Sequence, residues 1–357
     1  MKKKVKIGII GLGRVFEHYL KLFRSNKIKN YQIISICDLN KKKGKIFENK
    51  LKVNFYSDFK NHNFYKDVDM VIILTDSGNH YETSKFFINK KINVLCEKPL
   101  TMTPSKSLDL YKIAKKNNVM CGVIFQNRFN QSIQLIKKTL DKGNFGKIVN
   151  VSLSLLWCRY QKYYDDKWHG TWKNDGGVMN QQLIHHLDIM RWVFGPIAKV
   201  NCITTKRLNK LQAEDTASAI VKFSNGSLGN IEATTAARPM DLHASMSVVG
   251  EKGTAVVSGI AMNQITVWKF KNQKKIIENK IKKNNSQKVP TGYGLSHINY
   301  LNLAFKAILN KKITPPVDAY EAYLTSLFVH SLYKSSETLK WTSLKKNSLS
   351  KKLGNKN

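Results

Sequence analysis

A doubly wound parallel sheet followed by an α+β domain with a large, mostly antiparallel open sheet is the α/β fold that this sequence predicts. Three observations predict it. From Val5 to about Phe125, short apolar runs alternate with helix-length amphipathic stretches. Two glycines, Gly11 and Gly13, stand where the first apolar run meets the first helical stretch. After Phe125 the strand-like segments lengthen and turn signals separate them.

The candidate strands of the first part are VKIGII, IISIC, VNFY, MVIIL, NVLC and MCGVIF. They are apolar without in/out alternation and have helical stretches between them, which implies a parallel sheet covered on both faces. In such a fold, ligands bind beyond the carboxyl ends of the strands. A helical stretch, QSIQLIKKTLDKG, then leads into IVNVSLSLLW, TASAIVKF, SLGNIEATTAA and HASMSVVG. The turns SNG at 224–226 and GEKG at 250–253 predict hairpins. The very polar stretch 271–286 reads as a mobile surface loop or hairpin, and helical patterns resume at 297–310 and 319–337. Three parts are expected: residues 1–125 for dinucleotide binding, 126–345 for substrate binding and oligomerisation, and a lysine-rich, disordered tail at 346–357. No internal repeat is evident.

The 357 residues suffice for two domains, and 42% hydrophobic content is enough to fill their cores. A formal net charge of +36 raises the question of nucleic acid or an acidic membrane surface. The lysines are instead scattered over every loop and helix face, without an Arg-rich stripe or a nucleic-acid-binding motif, so neither partner is expected. A positive field would still favour an anionic substrate. Five dispersed cysteines, odd in number and mostly within apolar runs, read as reduced thiols of a cytoplasmic protein. The basic start has only a short, glycine-broken apolar stretch, unlike a signal peptide, and no run reaches the length of a membrane span.

In VKIGIIGLGRVF the glycines permit a tight turn, and the helix that follows offers free N–H groups and a positive dipole end to a pyrophosphate. The third position of the fingerprint is Phe16, where Gly or Ala is usual. Asp38, closing the second strand in IISICDLN, can accept hydrogen bonds from the adenine-ribose hydroxyls and repels a 2′-phosphate. NAD is therefore expected rather than NADP, with Lys41, Lys42 and Lys43 as the opposing feature.

NVLCEKPL ends a buried strand on Glu97 and Lys98 and follows them with Pro99, which keeps Lys98 out of helical geometry. Such a pair at a strand end is either solvated or aimed at a cleft. In DGGVMNQQLIHHLDIMRWVFG, Leu183, Leu187, Met190 and Phe194 recur at helical spacing, while His185 lies about 200° from Leu183 and points away from that stripe. Gln181, Asp188 and Ile189 are its expected helical neighbours. A metal site is not expected, because adjacent helical histidines diverge and no second ligand cluster appears. Trp168 and Trp172 precede the glycine pair and either wall a sugar pocket or plug a loop. Gln126 and Arg128 follow the sixth strand, and Arg128 suits a carboxylate, a phosphate or an acid of the protein itself.

Taken together, GIIGLGRV, CDLN, ILTDSGNHYE, NVLCEKPL and GGVMNQQLIHHLD resemble the glucose–fructose oxidoreductase, inositol dehydrogenase and rhizopine catabolism family, Gfo/Idh/MocA, in order over most of the chain. The resemblance implies that Lys98 contacts the nicotinamide side and the reacting hydroxyl, and that His185 takes the hydroxyl proton as hydride leaves carbon. It places Gly11, Gly13, Arg14, Val15, Asp38, Thr75, His80, Glu97 and Lys98 at the cofactor, and Gln126, Arg128, Trp168, Trp172, Gln181 and Asp188 at the substrate. Many members carry an aspartate four residues before the histidine; this sequence has Gln181, an amide that orients an imidazole without stabilising its cation.

The implied activity is an NAD-dependent oxidoreductase acting on a secondary alcohol or ketone of a sugar, including nucleotide-linked sugars such as UDP-N-acetylglucosaminuronate. The alternatives are an inositol or free-sugar dehydrogenase, an enzyme with tightly bound NAD performing redox-neutral epimerisation, dehydration or glycoside cleavage, and a non-catalytic regulator. A homodimer or homotetramer formed through the open sheet is also implied.

Overall fold

In the computed structural model, which describes residues 3–355, the chain divides into two compact units. Residues up to 125 together with 297–324 form one, and 126–296 with the residues from 325 onward form the other.

The first unit begins β1 (Val5–Ile10), α1 (Arg14–Arg24), β2 (Tyr31–Cys37), α2 (Lys41–Leu51), β3 (Asn54–Tyr56), α3 (His62–Tyr65), β4 (Met70–Ile73), α4 (His80–Asn89), β5 (Asn93–Cys96), α5 (Pro104–Asn117) and β6 (Cys121–Val123). Its six strands pair in parallel in the order β3-β2-β1-β4-β5-β6. β4 is buried throughout and β1 at every residue but Lys6, as the continuous apolar runs require. Ile10 is in register with Cys37 and Ile73, Ile73 with Cys96, and Cys96 with Val123. The residues that leave these strands, Gly11, Asp38, Leu74 and Glu97, therefore line one edge of the sheet. The strand order reverses between β1 and β4, which is where a doubly wound sheet opens a crevice.

The second unit runs α6 (Gln131–Asp141), β7 (Ile148–Leu156), α7 (Val178–Gln181), α8 (Ile184–Phe194), β8 (Ile197–Thr205), β9 (Thr216–Phe223), β10 (Leu228–Thr234), β11 (His243–Gly250), β12 (Gly253–Ser258), β13 (Gln264–Phe270) and α9 (Lys275–Asn284). After it come α10 (His297–Leu309), α11 (Ala319–Thr338) and β14 (Thr342–Ser343). The second sheet has the order β13-β12-β11-β7-β10-β9-β8-β14. Both predicted hairpins form, β9–β10 and β11–β12. One central pair, β7 with β10, is parallel in an otherwise antiparallel sheet. Burial alternates cleanly along β9: Ala217, Ala219, Val221 and Phe223 face inward, Ser218, Ile220 and Lys222 outward. The outward face is not uniformly apolar, since Ile203, Ile220, Leu228 and Val249 are interspersed with serine, asparagine and lysine.

Three expectations about organisation change. Residues 297–324 return to the first unit: the Tyr300 hydroxyl donates to the Val123 carbonyl at 2.6 Å, and the Val123 N–H to the Val317 carbonyl at 3.0 Å. The second part thus does not run unbroken to 345. Within the polar stretch 271–286 lies a helix, α9, whose buried Glu278 gathers Lys269 at 2.8 Å and Lys275 at 3.5 Å. The tail is packed as far as it is described. Ser350 bonds Glu337 and Leu353 is 1% exposed. Residues 356 and 357 lie outside the described residues.

Candidate active site

In the first unit the glycine turn is built as its sequence demands. Gly11 has φ +94°, and a Cβ there would lie 2.7 Å from the Leu74 carbonyl; only glycine fits. Gly13 has an ordinary φ of −76° and caps α1, and a Cβ on it would meet nothing within 4 Å. The space over that turn is open. Arg14 and Val15 begin the helix, exposed and half-buried respectively. Phe16, the departure from the fingerprint, turns inward and packs edge-on against Phe47 of α2 with centroids 4.9 Å apart. Asp38 accepts the Leu12 N–H at 2.7 Å and the Asn40 N–H at 2.8 Å, so it braces the turn besides standing at the end of β2.

Thr75 and His80 leave β4. His80 is 1% exposed, with Nδ1 2.7 Å from the Pro99 carbonyl and Nε2 3.0 Å from that of Thr75. Burial holds its pKa below the usual value although both carbonyls pull the other way. Expected at the cofactor, it instead ties the exit of β4 to the turn after Lys98. Glu97 is likewise turned inward. Its Oε1 accepts the Tyr19 hydroxyl at 2.8 Å, its Oε2 the backbone N–H of Lys98 at 3.1 Å, and His297 Nε2 approaches Oε1 to 3.7 Å. Burial alone would raise its pKa, but His297, Lys98 and Tyr19 outweigh that and hold it below the ordinary carboxylate value. Lys98 itself is half-buried just beyond the end of β5.

In the second unit the expected continuous helix is broken. α7 carries Gln181, and α8 starts at Ile184, so Gln181 and His185 are not neighbours on one helix. Nor is α8 buried along a single stripe. His185, His186 and Asp188 are all buried, at 9%, 0% and 0% exposure. Asp188 and Arg128, both expected at the substrate, instead engage each other. Arg128 Nε and Nη2 donate to the two Asp188 oxygens at 2.6 Å each, and Thr325 adds a bond at 2.8 Å. This bidentate pair, buried on both sides, joins the Gln126–Phe129 turn to α8. Gln126 in that turn is 2% exposed.

Trp172 is a plug rather than a pocket wall. It is 8% exposed, packs edge-on to Tyr333 and accepts the Gly354 N–H at 2.8 Å. Trp168 is more open, with one face against His169 at 3.6 Å between centroids. Beside it lies a cleft of about 420 Å³ bordered by Tyr164, Lys167, His169, Lys210 and Gln212. The glycine pair has a cause that the sequence did not reveal. A Cβ on Gly177 would meet the Glu214 carbonyl at 2.1 Å, and Glu214 Oε1 accepts the Met179 N–H at 3.0 Å and the Tyr333 hydroxyl at 2.8 Å. Burial pushes the Glu214 carboxyl up to about 7. No group of three or more potential metal ligands occurs among the described residues.

Residues 5–125 match a family described as an oxidoreductase family with an NAD-binding Rossmann fold, and residues 133–256 match the GFO/IDH/MocA C-terminal domain. The chain belongs to the Gfo/Idh/MocA oxidoreductase family. Among solved structures, it is similar to the WlbA dehydrogenase from Bordetella pertussis in complex with NADH and UDP-GlcNAcA, with 26% identity, a TM-score of 0.89, and coverage of 97% of this chain and 99% of that one. The WlbA dehydrogenase from Chromobacterium violaceum, also with NADH and UDP-GlcNAcA, is 27% identical, with a TM-score of 0.88 and coverage of 97% and 98%. Inositol 2-dehydrogenase of Salmonella paratyphi B is 23% identical over 273 residues, 72% of this chain and 75% of that protein.

The family that residues 5–125 match is NAD-binding, and the residues present fit that group. The open space over Gly13, the N-terminus of α1 and the half-exposed Asp38 at the next strand end would suit a pyrophosphate and a ribose. Tyr19 and His297, which hold Glu97, escaped sequence reading because each sits in an apolar helical pattern far from the motif. Glu214 escaped it too; the only trace was the glycine pair that it requires.

Proposed function

We propose that this Gfo/Idh/MocA protein is an NAD-dependent dehydrogenase acting on a secondary alcohol or ketone of a nucleotide-linked sugar acid, with Lys98 and His185 as its catalytic residues. The observation that carries the reading is in the first unit. The open glycine turn after β1 and Lys98 after β5 share one edge of the sheet, two strands apart, about 10 Å at ordinary strand spacing. When bound, NAD would accept or return the hydride. Lys98 would place an ammonium against the oxygen of the reacting alcohol, stabilising it as the proton leaves. His185 would take that proton, a task for which an imidazole is suited near neutral pH. Gln181 would orient substrate rather than stabilise an imidazolium. Asp38 supports NAD over NADP, because its carboxylate would repel a 2′-phosphate.

Similarity to the WlbA dehydrogenases over nearly the whole chain supports the UDP-sugar class, and Lys167 and Lys210 beside the second-unit cleft suit an anionic substrate. Similarity to inositol 2-dehydrogenase favours a cyclitol as the second reading. Five free cysteines, four of them buried, support a reducing, cytoplasmic setting.

The test is NADH formation at its absorbance band with UDP-GlcNAcA, free sugars and inositols. Substrate-dependent NADH with UDP-GlcNAcA is expected; turnover confined to inositols would select the second reading. NADH that never accumulates over a tightly held cofactor would replace net oxidation with redox-neutral chemistry. Lys98→Met and His185→Asn should each lower turnover by about 100-fold or more while leaving NAD affinity within about threefold. Undiminished turnover in either variant removes that residue from the mechanism.

A further inference from the structure

Around Glu97, the first unit contains a buried polar cluster that the proposed chemistry does not use. Tyr19 is 0% exposed, His297 2% and Glu97 7%. The Glu97 carboxylate touches both helices that flank it. From α1, Tyr19 donates at 2.8 Å, and from the first residue of α10, His297 stands at 3.7 Å. Its other oxygen accepts the backbone N–H of Lys98 at 3.1 Å. Behind His297 lies His18, with ring centroids 4.9 Å apart, and the Tyr19 ring also meets it edge-on at 5.3 Å. A carboxylate buried this deeply persists only if compensated by charge and hydrogen bonds. Here the compensation comes from residues about 80 positions before and 200 positions after it in the chain.

We propose that Tyr19 and His297 are positioning residues for Lys98: they fix the Glu97 carboxylate, and Glu97 pins the Lys98 peptide N–H at the exit of β5. The brace sets the backbone from which the ammonium is aimed. Resting on the reading of Lys98 as a catalytic residue, it predicts that a change at α10 is felt at Lys98 and not at the glycine turn. Burial pushes the His18 pKa down to about 4, with the neighbouring His297 pulling the same way, so His18 stays neutral and leaves His297 to face the carboxylate. Lys21 faces His18, Tyr300 and Cys96 face Tyr19, and His80 and Lys98 face Glu97.

The experiment measures amide hydrogen exchange at Lys98 in the NAD-loaded protein, for wild type, Tyr19→Phe, His297→Leu and His297→Gln, alongside kcat with UDP-GlcNAcA. Tyr19→Phe deletes only a hydroxyl and keeps the fold testable if His297→Leu fails to fold. Exchange at Lys98 is expected to accelerate about tenfold or more in Tyr19→Phe and His297→Leu, with the β1 amides and NAD affinity unchanged. kcat should fall by about 10- to 100-fold, the scale of a misplaced reacting group. His297→Gln, which keeps a polar N–H facing Glu97, should recover most of both. Unchanged Lys98 exchange in Tyr19→Phe and His297→Leu would overturn the brace, as would a Gln variant no better than Leu. Lys98→Met run in parallel separates the two ideas. If it keeps full turnover, the catalytic role of Lys98 fails while the exchange data still decide the brace. If it loses turnover and Lys98 exchange is unmoved, only the brace fails.

Discussion

Replacing Glu214 by Gln is expected to stabilise the protein at alkaline pH and to flatten its pH dependence. Glu214 is wholly buried, and its carboxyl is raised from 4.5 to about 7, chiefly by burial and against the hydrogen bonds from Met179 and Tyr333. Because the folded pKa is the higher one, the folded state holds the proton more tightly. Its contribution is present in full below pH 4.5 and is lost as pH rises through about 7. The loss amounts to about 3 kcal/mol once both states are ionised. Glutamine keeps an acceptor for Met179 and Tyr333 and cannot ionise. Urea unfolding followed by tryptophan fluorescence between pH 5 and pH 8.5 gives the stability of both proteins. The difference between them isolates Glu214, since His18, His80 and Glu97 titrate alike in each. The variant should gain about 2–3 kcal/mol on the wild type across that range. Parallel curves would refute the neutral, buried carboxyl.

The two fingerprint glycines should behave oppositely. Gly11→Ala meets the Leu74 carbonyl at 2.7 Å with φ at +94°, and should lower the melting temperature by an amount equivalent to about 1–3 kcal/mol. Gly13→Ala enters open space, so the melting temperature should hold while NAD affinity, read by fluorescence titration, drops about tenfold or more. Wild-type affinity in Gly13→Ala would take the pyrophosphate away from this turn. Asp188→Asn, which leaves Arg128 buried beside a neutral amide, should cost about 3–5 kcal/mol in urea unfolding. The double change Arg128→Met with Asp188→Leu should recover most of that loss, and a single variant as stable as wild type would return Asp188 to the list of substrate contacts.

What the sequence made legible was local. β1, β2, β4 and β5 were visible as mostly apolar runs because a strand buried on both faces has little room for a polar residue, and the hairpin turns were visible because their glycines are. The same logic made Lys98 legible: a charged residue between a buried strand and a proline stands out within eight letters. The partners of charged residues were not legible. Arg128 and Asp188 are 60 positions apart, and each alone looks like a ligand for a substrate; only the fold shows that one is the ligand of the other. Trp172 fails in the same way, since its cover, the segment around Gly354, reads as a disordered lysine tail when its contacts are unknown. The break between α7 and α8 hid inside a helical hydrophobic pattern, because a pattern of apolar residues does not report where hydrogen bonding lapses.

Glu97 shows most clearly why a motif names residues better than roles. In sequence it is the neighbour of Lys98 and shares its exposure to the same cleft by default. Successive residues leaving a strand point to opposite sides, however, so if Lys98 faces the sheet edge where a dinucleotide lies, Glu97 must face the helices. There a carboxylate has to find a partner from each side, and the chain supplies the Tyr19 hydroxyl from α1 and the His297 ring from α10. The motif is conspicuous because its two charged residues are adjacent. Its geometry depends on two that are not.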